Sequence, residues 1–428
     1  MQPSLRYPWY VVFVLMLAYV SSFIDRQILN LLVGPLKRDF HLSDTKVSLL
    51  MGLSFALFYT LMGIPVARWA DRAPRRRIIV FGVALWSLMT ALCGVVKTYG
   101  QFFLARVGVG VGEASLSPAA YSIITDYFPK EKLATAISVY SMGAFLGSGL
   151  AVLLGASLVS LPPETTTVVL PLVGEVFSWQ LLFFYIGLPG ILIVLLLFTV
   201  KEPLRRGALV QNGKIEPVSL REAFGHIGRQ RRAFFSVTLG ITFVSLVAFG
   251  ANAWIPTHFV RTFGWPIGKI GFSFGLIIAV FSTAGVLAGG WLADFLTRRG
   301  YPDGKVRVGL IASAGLLLSA FFPLVPLPEM SLGLCTLPCF FCAFPLGASS
   351  AAVQELVPNQ VRALASALYL FILNLIALGF GPTLVALLTD YVFRDESAIR
   401  FSLATLTVVG GALGLVSYAA GLGGKKGK

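Results

Sequence analysis

The chain has 428 residues, of which 12% are charged and 56% are hydrophobic, and its mean hydropathy is +0.82. Soluble domains contain about 25% charged residues, so this composition lacks the polar residues needed to cover a soluble surface. The net charge of +15 does not indicate a nucleic-acid partner, because Lys and Arg lie in short clusters between apolar runs, as membrane orientation requires. The composition therefore predicts an all-α integral membrane protein that binds no nucleic acid.

Twelve apolar segments are each about as long as the roughly 20 residues that a helix needs to cross a bilayer. The predicted spans, numbered one to twelve below, are 9–30, 47–69, 78–96, 101–125, 134–159, 179–200, 233–259, 268–293, 307–325, 332–354, 361–388 and 399–420. The first apolar run is long enough to remain as a span rather than a cleaved signal peptide. The longest polar segment, 201–232, separates the first six spans from the last six.

This division predicts two six-helix bundles, 1–200 and 233–428, joined by a cytoplasmic linker at 201–232. The end of the linker, 219–232, favours a basic amphipathic helix on the membrane surface. With the N-terminus in the cytoplasm, the cytoplasmic segments carry 24 of the 34 Lys and Arg residues and the opposite side carries eight. Because cytoplasmic loops are enriched in Lys and Arg, we predict that both termini are cytoplasmic.

Two short motifs follow equivalent spans in the two halves of the chain. The first follows spans two and eight, as Ala67-x3-Asp71-x3-Arg75-Arg76 and Gly290-x3-Asp294-x3-Arg298-Arg299. The second follows spans four and ten, as Asp126-x2-Pro129-x4-Ala134-x-Ala136 and Glu355-x2-Pro358-x4-Ala363-x-Ala365. The two copies are separated by 223 residues for the first motif and by 229 for the second, which indicates a duplicated, pseudo-symmetric six-helix unit.

The first motif predicts a gate on the cytoplasmic side. A small residue lets two helices approach closely, and an Asp at a helix end can pair with a helix terminus or with an Arg across the interface between the halves. Such contacts hold only while the cytoplasmic side is closed, so they favour one of two states. Charges that only set the topology would explain the arginines but not the repeated Asp spacing. The predicted gate residues are Asp71, Arg75, Arg76, Asp294, Arg298 and Arg299.

These motifs resemble those of the major facilitator superfamily. The motif at 67–76 resembles its signature loop, with Ala67 where a Gly is usual and Pro74 in place of a later Gly. The segment Arg106-x-Gly108-x-Gly110-x-Gly112 resembles its span-four motif, and Gly143-x3-Gly147-x-Gly149 resembles its span-five motif without the usual Pro. The resemblance covers the whole chain and implies the major facilitator fold, which moves a small molecule by alternating access.

Within that superfamily, the first half of the chain most resembles the spinster family. The matching segments are Phe23-Ile24-Asp25-Arg26-Gln27, Ser43-Asp44, the stretch from Tyr59 to Pro65, Trp86-Ser87 and Gly112-Glu113-Ala114. The resemblance implies that lysophospholipids or sphingoid phosphates are the transported molecules. It also implies proton coupling at the charged positions inside spans one and four.

Four ionisable residues lie well inside the predicted spans: Asp25 and Arg26 on span one, and Arg106 and Glu113 on span four. Ionisable groups inside a membrane are costly and are functional candidates for that reason. Arg106 and Glu113 are seven residues apart and share a helix face, so the pairs Arg26–Glu113 and Asp25–Arg106 are geometrically reasonable. We predict that the two carboxylates couple to protons and that the two arginines are their charge partners and the anion-binding groups.

The protonation of these carboxyl groups depends on two opposing effects, because burial favours the neutral form and a nearby Arg favours the ionised form. A carboxylate whose Arg partner is present in only one state would act as a proton switch. The alternative is a static cluster that only holds spans one and four together. Buried ion pairs stabilise poorly compared with apolar packing, which favours the functional interpretation.

Spans seven to twelve carry charge only at their ends. The candidate cavity-lining residues are Tyr59, Asn252, Trp254 and Asn374. A cavity with one charged wall and one apolar wall suits an amphiphile whose head contacts Arg26 or Arg106 and whose tail contacts the second half. We therefore predict proton-coupled transport of an amphiphilic anionic lipid. The alternative is a proton-coupled carrier of a small organic anion of the sugar-acid type, for which the same arginines would serve.

An enzyme or a channel is less favoured by the sequence. It contains no loop cysteine cluster, nucleophile motif or paired His and Asp that would support an enzyme, and the duplicated gate motifs argue against a simple pore. Cys335, Cys339 and Cys342 share a helix face and could ligate a soft metal, but small residues that ease helix packing are the favoured interpretation. We expect no cofactor and no metal, protons and membrane lipids as partners, and a monomer in a bacterial inner membrane.

Overall fold

The computed structural model describes residues 5–128, 130–159, 167–171, 174–203, 225, 227–301, 303–356 and 362–422, with only the backbone at some helical positions. Most of the predicted linker, half of its predicted amphipathic helix, residues 423–428 and the side chains of Ala67 and Asp71 lie outside this part. Within it, ten helical stretches are long and apolar enough to cross a membrane.

The chain divides into two compact units, and the first comprises Met1–Ile215 with Pro266–Gly275. The helices of the first six spans and their connections are α1 (Arg6–Ile28), α2 (Val33–Phe40), α3 (Asp44–Met51), α4 (Leu53–Arg72), α5 (Arg75–Cys93), α6 (Tyr99–Glu113), α7 (Leu116–Tyr127), α8 (Lys130–Val159), α9 (Leu181–Gly187) and α10 (Pro189–Thr199). Span one is α1, span two is α3 with α4, span three is α5, span four is α6 with α7, span five is α8, and span six is α9 with α10. All six predicted spans of the first half therefore correspond to helices.

The second unit comprises Glu216–Trp265 and Leu276–Lys428. The helices of the last six spans are α11 (Arg231–Phe263), α12 (Ile267–Ile277), α13 (Thr283–Arg298), α14 (Gly304–Ser319), α15 (Pro328–Leu334), α16 (Thr336–Ala343), α17 (Leu346–Glu355), α18 (Arg362–Leu373), α19 (Gly379–Leu387) and α20 (Ile399–Gly421). Span seven is α11, span eight is α12 with α13, span nine is α14, span ten is α15 to α17, span eleven is α18 with α19, and span twelve is α20. The six predicted spans of this half also correspond to helices.

Polar side chains and a glycine fix several helix ends. The hydroxyl of Ser43 accepts a hydrogen bond from the backbone N–H of Lys46 at 3.3 Å, and that of Thr98 accepts one from Gln101 at 3.3 Å. Each bond satisfies a backbone donor that has no partner inside the helix. At the C-terminal end of α11, Gly264 adopts φ 65°, a left-handed conformation that a glycine tolerates without a steric penalty.

Span four is broken, although the sequence predicts one continuous helix over 101–125. Helix α6 ends at Glu113, and α7 begins at Leu116. The hydroxyl of Ser115 donates to the carbonyl of Gly112 at 2.8 Å, a local side-chain bond of the kind that competes with regular helix hydrogen bonding. The break places Glu113 at the C-terminus of a helix in the middle of the span.

Spans eight and eleven contain π-helical turns, at Ile278–Ser282, Asn374–Leu378 and Leu388–Phe393. Turns of this kind interrupt the regular hydrogen-bond ladder and occur often at functional sites. Asn374, a predicted cavity residue, is the first residue of one of them.

Glycines allow the helices of the first unit to pack closely. In α8, a Cβ at Gly147 would lie 2.5 Å from the carbonyl oxygen of Val20 on α1. In α6, a Cβ at Gly110 would lie 2.7 Å from the carbonyl oxygen of Phe55 on α4. Both distances are shorter than a side chain permits, so these motif glycines bring spans five and four against spans one and two.

The structure contains a small antiparallel hairpin between spans five and six that the sequence analysis does not predict. Its strands are β1 (Thr167–Leu170) and β2 (Gly174–Phe177), with Thr167 opposite Phe177. Just after β2, the indole N–H of Trp179 donates to Asp39 Oδ2 of α2 at 2.7 Å. The hairpin region is thereby fixed to the connection between spans one and two.

Candidate functional site

The four charged residues predicted inside spans one and four form two ion pairs. Asp25 and Arg26 lie in the last turn of α1, and Arg106 and Glu113 lie on α6. Asp25, Arg106 and Glu113 are 2%, 0% and 1% exposed. The pairs are the two expected from the sequence, Asp25 with Arg106 and Arg26 with Glu113.

The Asp25 carboxylate is held by two other spans. Arg106 Nη1 donates to Asp25 Oδ1 at 2.9 Å, and the hydroxyl of Thr90 on α5 donates to Asp25 Oδ2. Each carboxylate oxygen therefore has a donor, and spans one, three and four meet at this residue. A charge-assisted hydrogen bond in a buried place is stronger than one between neutral groups, so these two donors hold the Asp25 carboxylate in place.

The Glu113 carboxylate uses only one of its oxygens. Arg26 Nε donates to Glu113 Oε2 at 2.6 Å, and the hydroxyl of Ser22 donates to the same oxygen at 2.5 Å. The other oxygen, Oε1, is buried and has no hydrogen-bond partner among the described residues. Ser22 and Arg26 are one helical turn apart on α1, which lets both of them reach one oxygen.

Aromatic rings enclose Arg26. Its guanidinium carbon lies 4.8 Å from the ring centroid of Phe23, 4.6 Å from that of Phe55 and 4.8 Å from that of Tyr59. These distances are within the range of cation–π attraction. The rings hold the cation in place while 15% of the Arg26 side chain remains exposed. We call Phe23, Phe55 and Tyr59 the aromatic cage.

Phe55 also connects the two ion pairs. Its ring centroid is 5.9 Å from the guanidinium carbon of Arg106, so one ring lies beside both cations. Arg106 Nε and Nη2 are buried and have no hydrogen-bond partner in the described part of the chain. A buried network with unused donors and acceptors is costly compared with apolar packing. A purely structural cluster would be expected to use these atoms, so the arrangement favours a functional role.

A second charge cluster lies at the other end of span three, where α5 begins. Arg75 is 2% exposed and donates from Nε to Glu202 Oε1 at 2.8 Å, from Nη2 to the carbonyl of Pro203 at 3.1 Å, and from Nη1 to Asp126. The backbone N–H of Arg76 donates to Glu202 Oε2 at 2.8 Å. Arg75 and Arg76 thus join spans three, four and six within the first unit. We call Arg75, Asp126 and Glu202 the arginine clamp.

The second unit has a related but weaker contact. Lys305, at the beginning of α14, pairs with Glu355, at the end of α17, and the Glu355 side chain is 63% exposed. The pair joins spans nine and ten as Arg75 and Asp126 join spans three and four. Asp294, Arg298 and Arg299 are exposed. Arg298 Nε donates to the backbone carbonyl of Asp294 at 3.4 Å.

The predicted cavity residues differ in their surroundings. Tyr59 is half-buried and belongs to the aromatic cage, and Asn252 and Asn374 are also half-buried. Trp254 is 0% exposed, and its indole N–H donates to the carbonyl of Pro382 at 2.9 Å. In this conformation Trp254 is a packing residue between spans seven and eleven.

The cysteines and histidines form no metal site among the described residues. Cys335, Cys339 and Cys342 are buried free cysteines in span ten, and the described part of the chain contains no group of three His, Cys, Asp or Glu residues that could hold a metal ion. His258 is buried, and its Nδ1 lies 3.0 Å from the hydroxyl of Thr262 one turn away.

Asp25, Arg26, Arg106 and Glu113 form a charged network, and three residues that complete it were not predicted from the sequence. Ser22 could have been found, since it is four residues before Arg26 on the same helix face. Thr90 and Phe55 lie on other helices, and no spacing in the sequence relates them to span one. Their roles depend on helix packing.

The comparisons with known proteins agree with this architecture. Residues 15–382 match the Major Facilitator Superfamily. An MFS-type efflux pump of Mycolicibacterium smegmatis is 30% identical over 94% of this chain and 90% of that protein. A probable L-galactonate transporter of Escherichia coli is 26% identical over 73% of this chain and 67% of that protein.

A solved structure shows the same fold. The crystal structure of a bacterial homologue of the human lysosomal transporter Spinster, in an inward-facing and unoccupied conformation, superposes with a TM-score of 0.81. The two chains are 29% identical, and the match covers 98% of each of them. The predicted twelve-helix fold and the resemblance to the spinster family are confirmed, and the related proteins are transporters rather than enzymes. The chain resembles the spinster proteins and therefore belongs to the Major Facilitator Superfamily, as a multi-pass membrane transporter of a small molecule.

Proposed function

We propose that this transporter is a proton-coupled secondary active carrier of an amphiphilic anion, with lysophospholipids or sphingoid phosphates as the substrate class. The observation that carries the proposal is the position of Arg26. It pairs with Glu113 through Nε alone, lies inside the aromatic cage and is still 15% exposed. A guanidinium with an open edge is well suited to a phosphate group, which it can bind through two parallel hydrogen bonds.

In this proposal Glu113 is the group that exchanges the proton. Its Oε1 has no hydrogen-bond partner among the described residues, so a proton can bind there without displacing a donor. Protonation removes the negative charge that holds Arg26, which then stays in the aromatic cage with its charge available to an anionic head group. Asp25 and Arg106 are the second pair of the switch, coupled to the first through the adjacent positions of Asp25 and Arg26 on α1 and through the ring of Phe55.

The hydrophobic part of the substrate lies, in this proposal, against the apolar spans seven to twelve, and an aromatic row of the first unit with an exposed end adds to that surface. From Phe23, the rings of Tyr19, Tyr140 and Tyr121 follow one another with centroid distances of 5.0, 4.7 and 5.3 Å. Tyr121, at the end of this series, is 37% exposed. A charged group beside a row of rings matches the two ends of an amphiphile.

A small organic anion of the sugar-acid type is the second candidate. It is favoured by the similarity to the probable L-galactonate transporter, and Arg26 or Arg106 would bind its carboxylate. The dependence of affinity on acyl-chain length and the affinity for galactonate separate the two candidates, because only an amphiphile gains affinity from a longer chain.

The transport cycle in this proposal alternates between two states of the bundles 1–200 and 233–428. Both termini are cytoplasmic, and the chain works as a monomer in a bacterial inner membrane. The gate residues Asp71 and Asp294 favour the state that is closed to the cytoplasm. Half-buried Asn252 and Asn374 contribute to the cavity from the second half.

The substrate class is tested in proteoliposomes with an imposed pH gradient. Uptake or binding of a series of lysophospholipids of increasing chain length should strengthen by up to about 0.8 kcal/mol for each CH2 that is buried. Galactonate serves as the comparison. Tight binding of galactonate with no dependence on lipid chain length would instead support the organic-anion candidate.

Proton coupling is tested with Glu113→Gln, which imitates the protonated residue. We expect the variant to fold and to lose the pH dependence of its conformational equilibrium, followed by spin-label distances. Glu175→Gln is the matched control, because Glu175 is exposed on β2, and it should behave like the parent. If the double variant Glu113→Gln, Asp25→Asn still switches with pH like the parent, the proton binds elsewhere.

A further inference from the structure

An apolar groove opens on the surface of the first unit, and none of its described lining residues belongs to the two ion pairs. It has a volume of about 280 Å³ and lies between spans two, three and four. Its lining residues are Met62, Pro65, Val66, Trp69, Phe81, Gly82, Leu85, Val111, Gly112 and Ser115. Pockets for drug-sized ligands measure roughly 300–1,000 Å³, so this groove suits a single narrow chain.

Small residues form the floor of the groove. A Cβ at Gly82 would lie 2.6 Å from the carbonyl oxygen of Gly112, and one at Gly112 would lie 2.8 Å from the backbone nitrogen of Trp86. Among the described lining residues, the one hydroxyl, on Ser115, donates to the carbonyl of Gly112 at 2.8 Å. The floor therefore offers no free donor to a ligand and is shaped for an apolar one.

Two large aromatic side chains form the mouth of the groove. The rings of Trp69 and Phe81 meet edge to face with centroids 6.3 Å apart. They are 48% and 57% exposed. Exposed rings beside a concave apolar surface are typical of a site that binds a hydrophobic partner.

A cation lies at one end of the groove. Arg77 is exposed and is one helical turn before Phe81 on α5, so it shares the helix face of Phe81 and Leu85. Arg75 and Arg76 are engaged with Glu202. The side chain of Arg77, in contrast, has no hydrogen-bond or ion-pair partner in the described ranges of the chain, and its guanidinium can bind a phosphate.

We propose that this groove binds an anionic phospholipid, with one acyl chain between Trp69 and Leu85 and the head-group phosphate at Arg77. Arg77 and Leu85 are eight residues apart, which corresponds to about 12 Å along the helix. One leaflet of the hydrocarbon core is about 15 Å thick, half of the whole. The groove therefore follows a chain through most of the leaflet on the Arg77 side.

The lipid in this proposal is a resident of the membrane, distinct from the transported solute. The groove and the aromatic cage are separate places, and none of the lining residues belongs to the two ion pairs. The inference does not depend on the substrate or on proton coupling.

Quenching of tryptophan fluorescence by brominated lipids tests the proposal. The full chain is reconstituted into phosphatidylcholine vesicles that contain brominated phosphatidylglycerol or brominated phosphatidylcholine at increasing mole fractions. The difference between the parent and Trp69→Phe isolates the signal of Trp69 from that of the other tryptophans. We expect phosphatidylglycerol to quench Trp69 at about a fivefold lower mole fraction, the factor expected for one cationic side chain near a membrane surface.

Two pairs of variants separate the head group from the chain. Arg77→Gln should abolish the preference for phosphatidylglycerol, whereas Lys97→Gln, an exposed cation at the opposite end of span three, should not. Leu85→Phe should fill the groove and reduce the quenching by both lipids at least twofold. Leu88→Phe, on a 56% exposed position of the same helix outside the groove, should leave it unchanged.

Equal quenching by the two lipids in the parent, or a preference that survives Arg77→Gln, would overturn the head-group site. Quenching that Leu85→Phe leaves unchanged would overturn the acyl-chain site and leave only ordinary lipid contact. Since no transport is measured, these outcomes are independent of the proposed function.

Discussion

Replacing Asp25 with Asn should destabilise the protein more than replacing Glu113 with Gln, because the two changes leave arginines of different exposure. Asp25→Asn removes the counter-charge of Arg106, which is 0% exposed. Two of the nitrogens of Arg106 already have no partner in the described part of the chain. Glu113→Gln removes the counter-charge of Arg26, whose side chain is 15% exposed and rests in the aromatic cage.

The magnitudes follow from this difference in surroundings. Removing one partner of a fully buried ion pair costs about 3–5 kcal/mol, because the other charge stays buried without compensation. Arg26 retains cation–π attraction of about 0.5–2 kcal/mol for a ring contact and access to the surface. Its loss is therefore about 1–3 kcal/mol, the cost of an incompletely satisfied polar group. We expect Asp25→Asn to be the more destabilising variant by about 2 kcal/mol.

Unfolding of the purified variants in mixed detergent micelles, followed by tryptophan fluorescence, measures this difference. The double variant Asp25→Asn, Arg106→Gln should recover part of the loss, because it removes the uncompensated charge, and the double-mutant cycle gives the coupling energy of the pair. A loss for Glu113→Gln as large as that for Asp25→Asn would refute this difference, as would a double variant that loses more stability than the two single variants together.

Three further predictions concern the other contacts. Arg75→Gln should cost about 3–5 kcal/mol in the same unfolding assay, because it breaks a buried ion pair. Lys305→Gln should cost less than about 1 kcal/mol, because its partner Glu355 is exposed. Similar losses for the two variants would contradict this difference. Asp294→Asn should lengthen the distances between cytoplasmic spin labels, and an unchanged distribution would exclude a gating role for this residue. Trp254→Phe should cost about 1–3 kcal/mol, because the carbonyl of Pro382 loses its donor; a neutral effect would show that this bond contributes nothing.

The local sequence determined the number and the limits of the spans. Apolar runs of about 20 residues correspond to all twelve, because every backbone polar group inside a membrane must be satisfied within the helix. The break after Glu113 could not be seen in the same way. At the break, the Ser115 hydroxyl bonds to the backbone carbonyl of Gly112. Pro118, four residues after Ala114, has no backbone N–H to continue the helix hydrogen bonds.

The gate motif shows a limit of spacing arguments. By spacing, Arg298 is the counterpart of Arg75, but the ion pair that joins spans nine and ten uses Lys305. A repeat in sequence fixes where the charges lie along each helix. Which charges meet depends on the packing of neighbouring helices.

The charged network contains both kinds of information. The sequence by itself determined that Asp25, Arg26, Arg106 and Glu113 lie inside the membrane and can pair, since a charge in hydrocarbon requires a partner and two helical periods relate the members on span four. Only the tertiary structure decided that Phe55 lies beside both arginines, that each oxygen of Asp25 has a donor, and that Glu113 Oε1 has no partner within the described residues. The physical reason is that hydrogen bonds and cation–π contacts act over a few ångströms, so they depend on how separate helices pack against each other.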